Sequence, residues 1–150
     1  NFLSKARSAI SIPISTDVFG FNGWARMSYL GQDIQAFARY VDVISPMAYP
    51  SHYAREFLPG INYFERAGKI QLDGTRRARS IVGDSVLIRP YLQAFLIGNE
   101  RKFTDPQFYD YLNRQVIGAR EGGASGFALW NQSGTYYMVN EKTFKTTAGE

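Results

Sequence analysis

The chain has 150 residues, a net charge of +4, one histidine and no cysteine. That length suits one ordinary domain, while the lack of cysteine excludes a disulfide framework, a zinc–thiolate site and a thiol nucleophile, and one histidine leaves no ligand cluster for metal catalysis. Hydrophobic residues at 45% and charged residues at 20% suit a globular core rather than disorder, and no apolar run approaches the roughly 20 residues of a membrane span.

The first element, FLSKARSA, reads as a helix. The chain begins at Asn1 with no initiator Met and no visible secretory signal, so it is expected to be a fragment or a processed product. SISIPISTDVFG follows as a β-rich run closing in Ser-Thr-Asp, with a strand expected near 11–17. In DIQAFARYV, Ile34, Phe37, Ala38 and Val41 fall at i, i+3, i+4 and i+7, the apolar stripe of a helix. DVISPMAYP is a second strand, near 42–49. QLDGTRRARSIVG is a weaker helix, because Gly74 interrupts it, and its Arg76, Arg77 and Arg79 read as a solvated helix face rather than a nucleic-acid patch.

SVLIRPYLQAF gives a third strand, near 86–93. TDPQFYDYLNRQVIGAREGG carries a stronger helix signal. Thr104 or Asp105 caps it, Pro106 takes the first turn, Phe108, Leu112, Val116 and Ala119 form the stripe, and Gly122 and Gly123 end it. ASGFALWNQSG supplies a fourth strand, near 125–131, and the tail around Phe144 starts a last helix or is a frayed end.

Strands apolar on both faces, alternating with helices, imply a parallel α/β sheet with right-handed crossovers. An eight-fold (β/α) barrel takes about 250 residues, and this chain has about half of one. An open four-stranded sheet is the alternative, and either leaves two sheet edges to be covered by further chain or a partner.

In such folds the C-terminal strand ends carry chemistry and the N-terminal ends serve stability. Asp42 and Asp84 precede strands and read as structural, while Asp33 and Asp110 lie on helices. Asp17, at the exit of the first strand, is the carboxylate placed for function. The other exits carry Tyr49, Gln93, and Trp130 followed by Asn131. An indole gives a sugar ring a flat apolar floor, and amides and a phenol bond its hydroxyls. Ten Tyr and eleven Phe also favour an aromatic cleft.

Each of these residues has an ordinary structural reading as well. Trp130 could plug the sheet top, Tyr49 could be a packed ring, and a buried Gln93 would need partners. His52, in the loop after Tyr49, joins the candidate substrate-binding residues and would equally serve as a solvated loop histidine. Phosphate-loop and dinucleotide motifs are absent. Asn131-Gln132-Ser133 fits a glycosylation sequon.

STDVFG, LGQDIQAFARYVDVISPMAYPSHY, YLQAF and GFALWN, in this order, resemble the putative glycoside hydrolase domain family, a domain of unknown function in the TIM-barrel glycosidase clan. The resemblance spans about residues 1 to 140, and PMAYPSHY carries its most specific part. It implies that residues 1–150 form the fifth to eighth strands of a (β/α)8 TIM barrel, with the N-terminal half missing. It also implies a hydrolase acting on O-glycosyl bonds, an oligosaccharide or polysaccharide partner, and an extracytoplasmic or cell-envelope location, while the charge pattern and the missing motifs leave no nucleic-acid partner and no cofactor expected. MAYP looks like the Met-x-Tyr-Asp strand of chitinase-like barrels, but Pro50 replaces that Asp, so their mechanism does not carry over. Trp130 matches the eighth-strand tryptophan that floors a sugar subsite in such barrels.

Glycoside hydrolysis needs two carboxyl groups. Asp17 is one; Glu56, Glu100 and Asp105 lie in loops on the same face, none at a strand exit, so the second is expected outside this chain. The alternatives are a non-catalytic carbohydrate-binding or envelope scaffold on a degenerate barrel, and a structural subunit packing through its open edges.

Overall fold

The computed structural model of the protein describes residues 2–25 and 28–141, and the tail around Phe144 lies outside them. The elements alternate as expected: α1 (Phe2–Ala9), β1 (Ser15–Phe19), α2 (Ile34–Phe37), β2 (Val43–Met47), α3 (Tyr63–Val82), β3 (Leu87–Ile88), β4 (Tyr91–Gln93), α4 (Asp105–Glu121) and β5 (Ala128–Trp130). Every strand pairing is parallel, with β1 beside β2, β2 beside β3, and β4 beside β5.

The third strand expected from sequence is two strands. Pro90 has no N–H to give to a ladder, so β3 stops at Ile88 and β4 begins at Tyr91. Bonds across the break keep neighbours in line: Arg89 N donates to Ile44 O at 3.0 Å, Ser125 N to Ile88 O at 2.8 Å and Ala128 N to Pro90 O at 3.0 Å. The strands thus form two parallel sheets in chain order, β1-β2-β3 and β4-β5, joined end to end through Pro90, and no barrel closes among the described residues.

The first strand also starts later than expected. Pro13 again removes a donor, and Asp42 Oδ2 accepts Ile14 N at 2.7 Å just below β1. Asp42 also accepts from Arg7 of α1. The Ile14 N–H and then Arg7 hold the Asp42 carboxyl below its ordinary pKa. This anchor sits at the N-terminal strand ends and serves stability, as its position implied.

One face of the sheet is covered by helices. Val18, Ile44 and Ile88 are buried against Ile34 of α2 and Ala78 and Val82 of α3, and Leu92 packs with Phe108, Leu112 and Val116 of α4. The stripe read from sequence is therefore the buried face of α4. Side chains alternate across a strand, so the opposite face presents Asp17, Phe19, Leu87 and Trp130, all exposed.

Two helices depart from expectation. α2 is one turn only; the chain bends through Tyr40, whose carbonyl accepts Arg7 Nε at 2.9 Å, and enters β2. α3 runs unbroken for 20 residues through Gly74. A Cβ on the neighbouring Gly23 would meet Gly74 O at 2.7 Å, so close backbone approach explains Gly23, while a Cβ on Gly74 would make only an ordinary contact with Trp24 Nε1 at 3.5 Å. The arginines of α3 are more than a solvated face. Arg77 lies 4.7 Å over the Trp24 ring, and Arg79 donates to Gly83 O, Val86 O, Gly123 O and Ser125 Oγ.

α3 and α4 meet backbone to backbone through glycine. A Cβ on Gly118 would lie 2.1 Å from Gly68 O, which belongs to the backbone and cannot rotate away. Gly118→Ala should force the helices apart and lower stability by about 2 kcal/mol, the ordinary cost of overpacking. Urea unfolding measures this, and an unchanged midpoint would refute the close packing.

Candidate functional site

Four side chains share the open side of the sheet toward its C-terminal end. Asp17 is exposed on β1, level with Ser45 of β2. It is the middle residue of its strand and not, as expected, at the exit, because β1 is displaced toward Phe19. Tyr49 follows β2 and is 7% exposed. Burial raises its phenol to about 12, with the Tyr91 phenol and the Asp17 carboxylate adding to the rise. Tyr91 stands edge-on to Trp130, with ring centroids 6.2 Å apart. Trp130 ends β5 and keeps 46% of its surface exposed.

Tyr91 was missed in the sequence. It precedes Gln93 by two residues, so both fall on one strand face, and that spacing was the available signal. His52 is exposed, in the short turn Pro50–His52, and its ring sits edge-on to Tyr49 at 5.3 Å and against Phe95 at 6.2 Å. It therefore flanks the rim.

Gln93 and Asn131 are not on the rim as free amides. Gln93 is wholly buried. Its Oε1 accepts Ser51 N at 3.0 Å, and its Nε2 donates to Phe95 O at 3.0 Å and Glu100 Oε2 at 2.9 Å. A buried amide must be satisfied, and here the loops after β2 and β4 satisfy it, so it ties those loops together. Asn131 Nδ2 donates to Ala94 O at 2.6 Å and Thr135 O at 2.8 Å, while its Oδ1 accepts Ser133 N and Oγ. Asn131 shapes the turn after β5, and the sequon serine is spent on that turn.

The loop carboxylates separate sharply. Glu56 is exposed, and Asp105 occupies the first turn of α4. Glu100 is 3% exposed. Its Oε1 accepts from the hydroxyls of Tyr63 and, at 2.9 Å, Tyr111. Its Oε2 accepts Gln93 Nε2 at 2.9 Å and Ile97 N at 3.1 Å. Burial, and then chiefly the Glu100 charge, raises both phenols; both stay protonated and donate to the carboxylate. A carboxylate held by four donors can anchor loops; as held, it has no lone pair to offer a substrate.

Beside this anchor, Pro50, Ser51, Tyr63, Arg66, Glu100 and Phe103 help to line a cavity of about 500 Å³ between the loops. Among the described residues no three His, Cys, Asp or Glu side chains gather as a metal centre, and no helix is long and apolar enough to cross a membrane.

A family model described as a putative glycosyl hydrolase domain matches residues 1–136. No curated protein and no solved structure matches the chain.

Proposed function

The chain belongs to that putative glycosyl hydrolase domain family, and from this premise we propose that it binds a polysaccharide across the rim of Asp17, Tyr49, Tyr91 and Trp130 as part of a glycoside hydrolase. The observation that carries this is the exposed Trp130 ring braced edge-on by Tyr91. A flat apolar face backed by a fixed ring suits the apolar face of a sugar. His52 flanks this surface, and the raised Tyr49 phenol stays protonated as a donor to a sugar oxygen at neutral pH.

On this reading residues 1–150 are the second half of a (β/α)8 barrel. Support comes from the strands, which follow one another in parallel and in chain order. The open edges of β1 and β5 would pair with the remaining strands or a partner chain. Asp17 supplies one of the two carboxyl groups that hydrolysis needs, and the other comes from that remainder. A non-catalytic carbohydrate-binding role is the second reading, favoured by the full engagement of Glu100.

Trp130→Ala tests the binding reading. The ring's loss should weaken polysaccharide binding about tenfold, or about 1.4 kcal/mol, across a panel of soluble glycans measured by calorimetry. Full affinity in the variant would remove Trp130 from the site.

A further inference from the structure

We propose that the cavity between the loops after β2 and β4 receives the carboxylate of an acidic sugar unit, with Arg66 at its base and Arg55 at its mouth. This rests on the carbohydrate reading and names the substrate class. Arg66 is only 5% exposed. Its Nε donates to Phe57 O at 3.0 Å, and its Nη2 donates to Tyr53 O at 2.8 Å and Ala54 O at 2.9 Å. Nη1 makes none of these bonds. The three acceptors are neutral carbonyls, and no carboxylate pairs with Arg66 among the described residues. The guanidinium also lies 5.8 Å over the Tyr63 ring, and a buried charge is ordinarily matched by an opposite one, so it is fixed in place and open to a carboxylate partner.

Arg55, also on the cavity lining, is exposed and without an ion pair among the described residues. Glu100 lies on the lining too, but its oxygens are spent on Tyr63, Tyr111, Gln93 and Ile97. Two guanidinium groups against one carboxylate leave the cavity positive. Guanidinium matches a carboxylate geometrically. The size fits as well. About 500 Å³ is within the ordinary range of small-ligand sites, and the Tyr63 and Phe103 rings, with centroids 5.9 Å apart, supply apolar wall for a pyranose. Pro50, on the lining, is the chain neighbour of Tyr49 of the rim.

Calorimetry on the full-length protein tests this, with oligogalacturonate, a neutral glucan oligomer of equal length, acetate and inorganic phosphate as probes. Oligogalacturonate should bind at least tenfold more tightly than the neutral oligomer. Arg55→Gln, on an exposed side chain, should remove about tenfold of that affinity and leave the neutral oligomer unaffected. Arg66→Gln should abolish the preference, with circular dichroism reporting whether the loops still fold. Equal affinity for acidic and neutral oligomers would overturn the proposal, as would a preference untouched by Arg55→Gln. Acetate or phosphate competing as well as the acidic sugar would reduce the site to a bare anion contact and overturn it too. Neutral binding lost in Trp130→Ala but indifferent to charge would sink this inference and spare the carbohydrate reading. Binding of no sugar at all would end both.

Discussion

Glu100→Ala should cost about 4 kcal/mol of stability and release the Gly98–Lys102 turn. The substitution leaves four donors facing a void: two phenols, the Gln93 amide and the Ile97 N–H. Each buried donor without an acceptor carries a penalty of about 1–3 kcal/mol, partly relieved where water enters. Gln93 then loses its hold between Ser51 and Glu100, so the loop after β2 loosens with the loop after β4. Glu100→Gln should be far milder, about 1 kcal/mol. Its carbonyl can still accept from Gln93 and Ile97. Its amide can donate to the two phenol oxygens, and the Tyr111 hydroxyl can turn to Gln93 Oε1, already 3.3 Å away. Chemical denaturation of both variants decides the point. Equal losses for Ala and Gln would mean that shape, not donor matching, holds the turn.

The parallel order of strands was legible in the sequence because short apolar strands alternate with helical patterns. The α4 stripe shows why. Phe108, Leu112, Val116 and Ala119 repeat at the helical period, and that face is the buried one. Boundaries were less legible where backbone chemistry outweighed side-chain pattern. Pro13 and Pro90 each removed a ladder donor, displacing β1 and dividing the third strand. Gly74 reads locally as a helix breaker, yet α3 runs through it, and its backbone packs against Gly23, 51 positions away in sequence, a contact no local pattern encodes.

The rim divides in the same way. Trp130 and Tyr49 could be placed from strand exits alone. Gln93 could also be placed, but not its burial, which depends on Ser51 and Glu100 closing over it from two different loops. Glu100 was visible as a loop carboxylate only. Its engagement needs Tyr63 from α3 and Tyr111 from α4, whose convergence is tertiary. Arg66 gave no sequence signal either, because its partners are backbone carbonyls and these carry no residue identity.

Asp17→Asn should lower kcat/KM on a cleaved glycan about a thousandfold, or about 4 kcal/mol of transition-state stabilisation. The folded state should barely notice. Asp17 is exposed, and no hydrogen bond or ion pair holds its side chain among the described residues. Exposed substitutions of this kind usually stay within about 0.5 kcal/mol. Aspartate is also disfavoured in strands, so an unpaired aspartate in the middle of β1 has no evident structural reason to be there. A second readout tests its position without any substrate. The Asp17 charge contributes to raising the Tyr49 phenol to about 12. Removing a negative neighbour favours the phenolate, so the variant's Tyr49 should titrate at lower pH in an ultraviolet titration. If Tyr49 shifts downward while hydrolysis proceeds at the wild-type rate, Asp17 lies beside the rim but takes no part in the chemistry. If both proteins bind glycan and neither cleaves it, with the remaining barrel strands present, the second reading holds and the rim is a binding surface. A fall in rate with the fold intact and Tyr49 shifted assigns Asp17 to the reaction, since its charge then matters both to its neighbour and to the bond being broken.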